Sequence, residues 1–172
     1  MLKKSAKLII LILTVGLYTS PEVLLAAEQP LIIPNNFPSA ITQVTHLEIS
    51  LSRRQVTLYH ENKPIKSYPV AIGRRGWETP KGDFQVIQML KNPTWIHPLT
   101  GESIPGGTAK NPLGRYWIGF WTDGRDWIGF HGTPDPNSVG KAASHGCVRM
   151  YNKDIEELFR QVSLGTQVKV VP

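Results

Sequence analysis

The chain has 172 residues, of which 41% are hydrophobic and 19% are charged, and its formal net charge at pH 7 is +6. These values are typical of one compact globular domain and argue against global disorder and against a two-domain enzyme. The 15 glycines and 14 prolines predict many turns between short strands and argue against a helical bundle.

The first 27 residues follow the order of a secretory signal peptide. Lys3, Lys4 and Lys7 precede an apolar run over residues 8–17, and Ala26-Ala27 closes the segment. The apolar run is about half as long as the ~20 residues that a membrane-spanning helix needs. We therefore expect cleavage after residue 27, export to the periplasm or cell wall, and no stable membrane insertion afterwards. An uncleaved N-terminal anchor is the alternative.

The charge of the remaining chain limits the kinds of partner. Without residues 1–27 the net charge is +4, and the basic residues form no run longer than the pairs Arg53-Arg54 and Arg74-Arg75. No aromatic-and-basic motif accompanies them, which argues against nucleic-acid binding. The excess charge suits an anionic polymer outside the cytoplasm, or simply an ordinary solvated surface.

Short strands are predicted after a linker. Residues 28–44 contain Pro30, Pro34 and Pro38, which prevent regular hydrogen bonding and indicate the linker. Alternating apolar residues then predict a hairpin over 47–51 and 55–59, a strand over 65–72, and a tight turn at 79–84 that leads into a strand over 84–89. The proline-rich and glycine-rich segment 91–112 is predicted to be a long loop that borders a cleft.

A repeated tetrapeptide, Trp-Ile-Gly-Phe, occurs at 117–120 and 127–130 on either side of Asp123-Gly124. An aspartate-glycine pair between apolar runs predicts a hairpin. With these two residues as the turn, Phe120 would face Trp127, and His131 would lie at the open end of the hairpin.

One helix is predicted near the C-terminus. Asn152 is expected to cap a helix from Lys153 to about Val162, whose apolar residues recur at helical spacing on one face. Gly165 ends the helix, and residues 167–171 form a last strand.

Cys147 is the only cysteine, so an exported chain cannot form an internal disulfide. It is therefore either a reactive thiol or a small buried apolar residue. Its neighbours favour the thiol, because a histidine can supply the base that thiolate formation needs, and we assign that role to His131. Gly146 permits a tight turn, so the N–H groups of Gly146 and Cys147 are predicted to point at one oxyanion.

Three motifs carry a family resemblance. His131-Gly132 followed by Ser144-His145-Gly146-Cys147-Val148-Arg149 resembles the active-site signature of the L,D-transpeptidase catalytic domain, the YkuD-like family. The turn at 79–84 (Thr-Pro-Lys-Gly-Asp-Phe) and the segment at 111–114 (Asn-Pro-Leu-Gly) resemble two further motifs of that family. The resemblance covers about residues 45–172, which we take as the catalytic domain.

The resemblance implies a mainly β, antiparallel β-sandwich-like fold with one C-terminal helix. It also implies that Cys147 is the nucleophile, that His131 accepts and donates the proton, and that the Gly132 carbonyl orients the imidazole. His145 and Gly146 would complete the catalytic loop. Ser144 and Arg149 would build the pocket, with Arg149 holding the loop or a substrate carboxylate.

The implied reaction is acyl transfer between peptidoglycan stem peptides, a transferase activity of cell-wall biogenesis that supports cell shape and is a carbapenem target. Cys147 would attack the bond between an L-centred diamino acid and the terminal D-Ala of a tetrapeptide stem, and an amine of a second stem would accept the acyl group. L,D-carboxypeptidase activity and D-amino-acid exchange on the same acyl-enzyme are alternatives.

Two alternative hypotheses about function, a zinc site and a non-catalytic module, are kept open. His131, His145 and Cys147 are all zinc-ligand types, although their spacing is not that of structural zinc sites. A non-catalytic wall-binding module with a buried Cys147 is the other. We expect no cofactor and no metal.

Overall fold

The computed structural model describes residues 45–97 and 100–172, so the signal peptide and linker predicted for residues 1–44 lie outside the described part. Within that part, the chain forms thirteen β-strands and one α-helix. No helix in it is long and apolar enough to cross a membrane. The mainly β fold with a single helix near the C-terminus is thereby confirmed.

The strands are short, because turns interrupt them frequently. In chain order they are β1 (Thr45–Ser50), β2 (Gln55–His60), β3 (Lys63–Pro69), β4 (Ile72–Gly73), β5 (Gly82–Gln85), β6 (Gln88–Lys91), β7 (Trp95–Ile96), β8 (Ser103–Ile104), β9 (Tyr116–Thr122), β10 (Trp127–His131), β11 (Ala142–Ser144), β12 (Val148–Arg149) and β13 (Gln167–Val171). The helix, α1, spans Asn152–Gln161, and a turn of 3-10 helix occupies Pro136–Ser138.

Five of the described strands form the first sheet, in the order β3-β2-β1-β13-β5. β1 pairs with β2 in antiparallel register, with Leu47 opposite Leu58 and Ile49 opposite Val56. This pairing confirms the first predicted hairpin. The C-terminal β13 lies between β1 and β5, parallel to β1 and antiparallel to β5.

Four other described strands form the second sheet, in the order β12-β10-β9-β6. β10 pairs antiparallel with β9 and parallel with β12. Both sheets and α1 contribute to one apolar core, whose buried members include Leu47, Ile49, Val56, Ile118, Phe120, Phe130, Val148, Ile155 and Leu158. Removal of this apolar surface from water is the main term that favours the fold. β4 pairs with β11, and β7 with β8, in two further small sheets.

The strand predicted over 84–89 is wrong as a single element. β5 belongs to the first sheet and β6 to the second. The chain crosses from one sheet to the other at the two residues between these strands. Val86 N–H donates to the Thr166 carbonyl and Ile87 N–H to the Gly119 carbonyl, each at 2.8 Å. The strand predicted over 65–72 is likewise divided into β3 and β4. Alternation of side chains continues across such a crossing, so it does not reveal the change of sheet.

The hairpin of β9 and β10 exists, but its predicted register is wrong. Trp127 pairs with Thr122, and His131 pairs with Trp117. The turn is longer than two residues, since the Asp123 carboxylate accepts hydrogen bonds from the N–H groups of Arg125 and Asp126, at 2.9 and 2.7 Å. A bulge near Ile128 then shifts the pairing again. His131 nevertheless ends β10, as predicted.

The predicted C-terminal helix and last strand are confirmed, but the cap is not. The helix begins at Asn152, the capping position is Tyr151, and no side chain caps it. Ile155 and Leu158 are buried, as the helical spacing predicts. The side chain of Asn152 makes its hydrogen bonds elsewhere, as described below.

Candidate active site

The parallel pairing of β10 with β12 brings His131 and Cys147 together from positions 16 residues apart in the chain. Phe130 pairs with Val148 and His131 with Arg149, while the Met150 N–H donates to the His131 carbonyl at 2.9 Å. Cys147 comes directly before β12. The candidate nucleophile therefore lies level with Gly129, two residues before the candidate base on the neighbouring strand.

The Cys147 thiol is partly buried and is not paired with another sulfur. Its Sγ donates to the Trp127 carbonyl at 3.6 Å. Burial raises the pKa of the thiol above its ordinary value, while a hydrogen bond from the Gly129 backbone and the positive charge of Arg149 act in the opposite direction. Because the net shift is upward, the resting thiol is protonated at neutral pH.

His131 is 5% exposed, and its ring lies stacked 6.1 Å from the ring of Trp117. Burial lowers the pKa of His131 to about 4, and the Arg149 charge adds to this effect, while backbone contacts with Gly132 and Pro112 oppose it. The imidazole is therefore neutral. Its Nδ1 lies 2.5 Å from the Gly132 carbonyl, which can only accept, so the single ring proton is on Nδ1. In this tautomer Nε2 carries the lone pair that can act as a base.

Ser144 fixes the loop that carries Cys147. Its side chain is buried, and its Oγ donates to the Cys147 carbonyl at 2.5 Å and accepts from the Gly146 N–H at 3.1 Å. The Gly146 N–H thus already has a partner inside the loop, contrary to the prediction that it points at an oxyanion. Gly146 has φ +111°, and a Cβ there would lie 2.7 Å from Ile128 Cδ1, so only glycine fits the turn.

Thr79 was predicted only as part of a turn, but it also anchors the candidate nucleophile loop. Its Oγ1 donates to the Gly146 carbonyl at 2.8 Å and accepts from the Gly73 N–H at 3.0 Å. Its side chain is buried. Thr79 therefore connects β4 to the loop before Cys147. The threonine in the turn motif was the available signal, although nothing in the sequence identified its partners.

The side chain of Asn152 anchors the backbone segment that follows His131. Its Oδ1 accepts from the Thr133 N–H at 3.1 Å, and its Nδ2 donates to the Thr133 carbonyl at 3.2 Å. A Cβ on Gly132 would lie 2.1 Å from Asn152 Oδ1. Gly132 must therefore be glycine for the helix to approach the segment whose carbonyl meets His131.

His145 lies on the exposed side of the loop and contacts two residues that the sequence did not single out. Its Nε2 accepts from Arg74 Nη2 at 2.7 Å, and its ring meets the ring of Trp77 edge-on at 4.8 Å. Burial, and then the charges of Arg74 and Arg149, lower the pKa of His145. Arg149 extends from β12, and its backbone pairs with Ala71.

No group of three or more His, Cys, Asp or Glu side chains in residues 45–97 and 100–172 is arranged as metal ligands would be. The described residues therefore give no support to the zinc hypothesis. Cys147 is only partly buried, which argues against the reading of it as an inert core residue. The absence of a cofactor stays a prediction.

The chain is similar to known proteins over most of its length. The family described as YkuD, L,D-transpeptidase catalytic domain, matches residues 44–170. The Bacillus subtilis protein YkuD, named as an L,D-transpeptidase, is 36% identical over 146 residues, which are 85% of this chain and 77% of YkuD. YqjB of the same organism, with the same activity in its name, is 42% identical over 113 residues, which are 64% of this chain and 61% of YqjB.

Solved L,D-transpeptidase structures share the fold. One from Enterococcus faecium has a TM-score of 0.61 at 23% identity, covering 74% of this chain and 49% of that chain. One from Mycobacterium tuberculosis has a TM-score of 0.60 at 18% identity, covering 75% of this chain and 58% of that chain. The present chain spans about half the length of the first of these structures.

We predict that Thr79→Val loosens the Cys147 loop, whereas Thr79→Ser preserves it. Valine keeps the shape but leaves the Gly73 N–H and the Gly146 carbonyl without their partner, which should cost ~1–3 kcal/mol of unfolding free energy. Serine retains the hydroxyl. Urea unfolding measures the stability, and the labelling rate of Cys147 by a thiol reagent should rise only in the valine variant. Equal behaviour of the two variants would show that the hydroxyl does not matter.

We also predict that acid destabilises the protein through His131. The folded-state pKa of His131 is about 4 against an ordinary value of 6.5, so the stability gained by keeping the ring neutral is present above pH ~6.5 and is lost as the pH falls towards 4. Urea unfolding at pH 7 and pH 4 should show that the wild type loses about 3 kcal/mol more than His131→Gln. An identical loss in both proteins would contradict the burial of a titrating imidazole.

Proposed function

The chain belongs to the L,D-transpeptidase catalytic domain family, and on that premise we propose that it is a peptidoglycan L,D-transpeptidase whose nucleophile is Cys147. The observation that carries this assignment is the neutral imidazole of His131, whose proton is held on Nδ1 by the Gly132 carbonyl. His131 ends β10, and β10 pairs with β12, the strand that directly follows the only cysteine of the chain. That arrangement supplies a base and a nucleophile without a metal.

In the first half-reaction, Cys147 Sγ attacks the carbonyl between the L-centre of the diamino acid and the terminal D-Ala of a tetrapeptide stem. His131 Nε2 takes the thiol proton as the S–C bond forms. The C–N bond then breaks, and His131 returns the proton to the amine of the departing D-Ala. The product is a thioester between Cys147 and the shortened stem.

In the second half-reaction, the side-chain amine of another stem attacks the thioester. His131 accepts a proton from the attacking amine and returns it to Sγ as the S–C bond breaks. The new amide is a 3→3 crosslink. Water in place of the amine would give an L,D-carboxypeptidase, and a free D-amino acid would give an exchange reaction.

The directions of the two pKa shifts describe the pair before the attack begins. The thiol pKa is raised and the imidazole pKa is lowered, so the resting pair is uncharged and charge separates only during the attack. Ser144 and Gly146 hold the loop in position. The positive charge of Arg149 lowers the pKa of both groups, and we expect it to stabilise the anion that develops.

We further propose that residues 1–27 direct export, that residues 28–44 link them to a catalytic domain at 45–172, and that the mature enzyme works in the periplasm or cell wall. The basic, apolar and small-residue order of the first segment supports this. Its substrates are the peptidoglycan stem peptides, and neither nucleic acid nor a stable membrane insertion is involved.

Incubation with tetrapeptide muropeptides, followed by mass analysis, tests the proposed reaction. The wild type should give crosslinked dimers with loss of D-Ala, Cys147→Ala should give none, and His131→Ala should be slower by ~10²-fold or more, as expected for a positioned acid-base group. His145→Ala should reduce the rate less. Unfolding midpoints close to wild type serve as the control. Turnover by the Cys147→Ala variant would overturn the covalent mechanism.

Carbapenem binding tests the identity of the nucleophile, because Cys147 can open the strained β-lactam amide to a thioester. Intact-protein mass spectrometry should show one adduct per chain, on the peptide that contains residues 144–149, and none in Cys147→Ala. Iodoacetamide labelling of the same thiol should accelerate about tenfold per pH unit between pH 6 and pH 8, since its pKa is raised. A flat labelling rate would indicate a preformed thiolate.

A further inference from the structure

Two guanidinium groups near Cys147 lack a carboxylate partner. Among the described residues, ion pairs join Arg53 to Glu48, Lys66 to Glu157 and Arg160 to Glu156, and none involves Arg74 or Arg149. Arg149 was already assigned to the site from its motif. Arg74 was not, although it contacts His145 in the same loop.

Arg74 is held in one direction by two aromatic rings. Its Nη2 donates to His145 Nε2 at 2.7 Å, and its guanidinium carbon lies 5.9 Å from the centre of the Trp77 ring. The Trp77 ring in turn meets His145 edge-on. His145 accepts this hydrogen bond, so its ring is neutral and leaves the positive charge of Arg74 uncompensated. The other donors of the guanidinium remain for a ligand.

The backbone of Arg74 is tied to the candidate nucleophile loop. The Arg74 N–H donates to the Ser144 carbonyl at 3.0 Å, and the preceding residue, Gly73, pairs with Ser144 in the small sheet of β4 and β11. Thr79 closes the same turn onto the Gly146 carbonyl. Arg74 therefore occupies a fixed place beside the loop that ends in Cys147.

Glu78, the acidic residue of the same turn, does not form an ion pair with Arg74. Glu78 folds back onto its own turn, where its Oε1 accepts from the Gly76 N–H at 2.8 Å. The charge that helps to lower the pKa of Glu78, after its backbone hydrogen bonds, is that of Arg75. The two adjacent arginines thus have different surroundings. Trp77, which lies under Arg74, is 53% exposed and leaves an open apolar face next to the free charge.

We propose that Arg74, positioned by His145 and Trp77, binds a carboxylate of the donor stem peptide, while Trp77 contacts the apolar part of that peptide. This rests on the proposed function. A guanidinium presents a planar fork of donors that matches a carboxylate. A tetrapeptide stem offers such a group at its terminal D-residue and on the side chain of its diamino acid, and Arg74 selects donors that carry it.

Binding to the Cys147→Ala protein tests this without depending on turnover. Calorimetric titration would use three synthetic tetrapeptides: one with both carboxylates free, one amidated at the C-terminus and one amidated at the diamino-acid side chain. Arg74→Gln should weaken binding of the free peptide by ~10-fold or more, the range for a hydrogen-bonded charge pair. Arg75→Gln, the matched control, should not.

The amidated peptides identify which carboxylate is bound. The peptide that lacks the bound carboxylate should bind the parent protein weakly and lose nothing further with Arg74→Gln. In the active enzyme, the same substitution should raise KM for the free peptide with a much smaller change in kcat. Equal losses in the Arg74 and Arg75 variants, equal losses for all three peptides, or no binding of any peptide would overturn the inference. Binding governed by Arg74 in a protein that makes no crosslinks would instead contradict only the proposed reaction.

Discussion

Two residues of β12, paired in parallel with the last two residues of β10, hold the proposed nucleophile beside the proposed base. So short a ladder contributes few hydrogen bonds, and it cannot by itself orient the loops on either side. Small polar side chains supply the rest. Ser144, Thr79 and Asn152 each bond two backbone groups, and together they determine where the Cys147 loop and the Gly132–Thr133 segment lie. The precision of the site therefore depends on uncharged groups that are fixed by the core.

This choice of groups has an electrostatic consequence. Because the supporting side chains carry no charge, burial dominates the ionisation of both reactive groups, raising the pKa of Cys147 and lowering that of His131. Arg149 is the charge that acts on both. A protonated thiol also reacts slowly with oxidants, since the thiolate is the reactive form. With its pKa raised, the Cys147 thiol is therefore less reactive towards oxidants than a thiolate would be.

The sequence was sufficient for the first hairpin, the last strand and the helix, because each depends on local periodicity or on a turn residue, and the resemblance of its motifs to a known family was sufficient for the fold class. It was insufficient wherever a partner was distant in the chain. Nothing local shows that Val86 exchanges one sheet for the other, or that Asn152 bonds Thr133 rather than capping its helix. Motif residues such as Ser144 were found because they lie beside the cysteine. Arg74 and Thr79 were missed, since their partners at 144–146 lie far along the chain.

The insertion of β13 between β1 and β5 also affects how the protein can fold. His46 pairs with Gln167, across more than one hundred intervening residues, so the first sheet closes only when the C-terminal strand is present. Contacts of such long sequence separation are formed late and slowly, because loop closure must precede them. Because the chain is synthesised from its N-terminus, this sheet cannot be completed until β13 has been synthesised. The first sheet acquires its complete strand order only after residues 167–171 have been added to the chain.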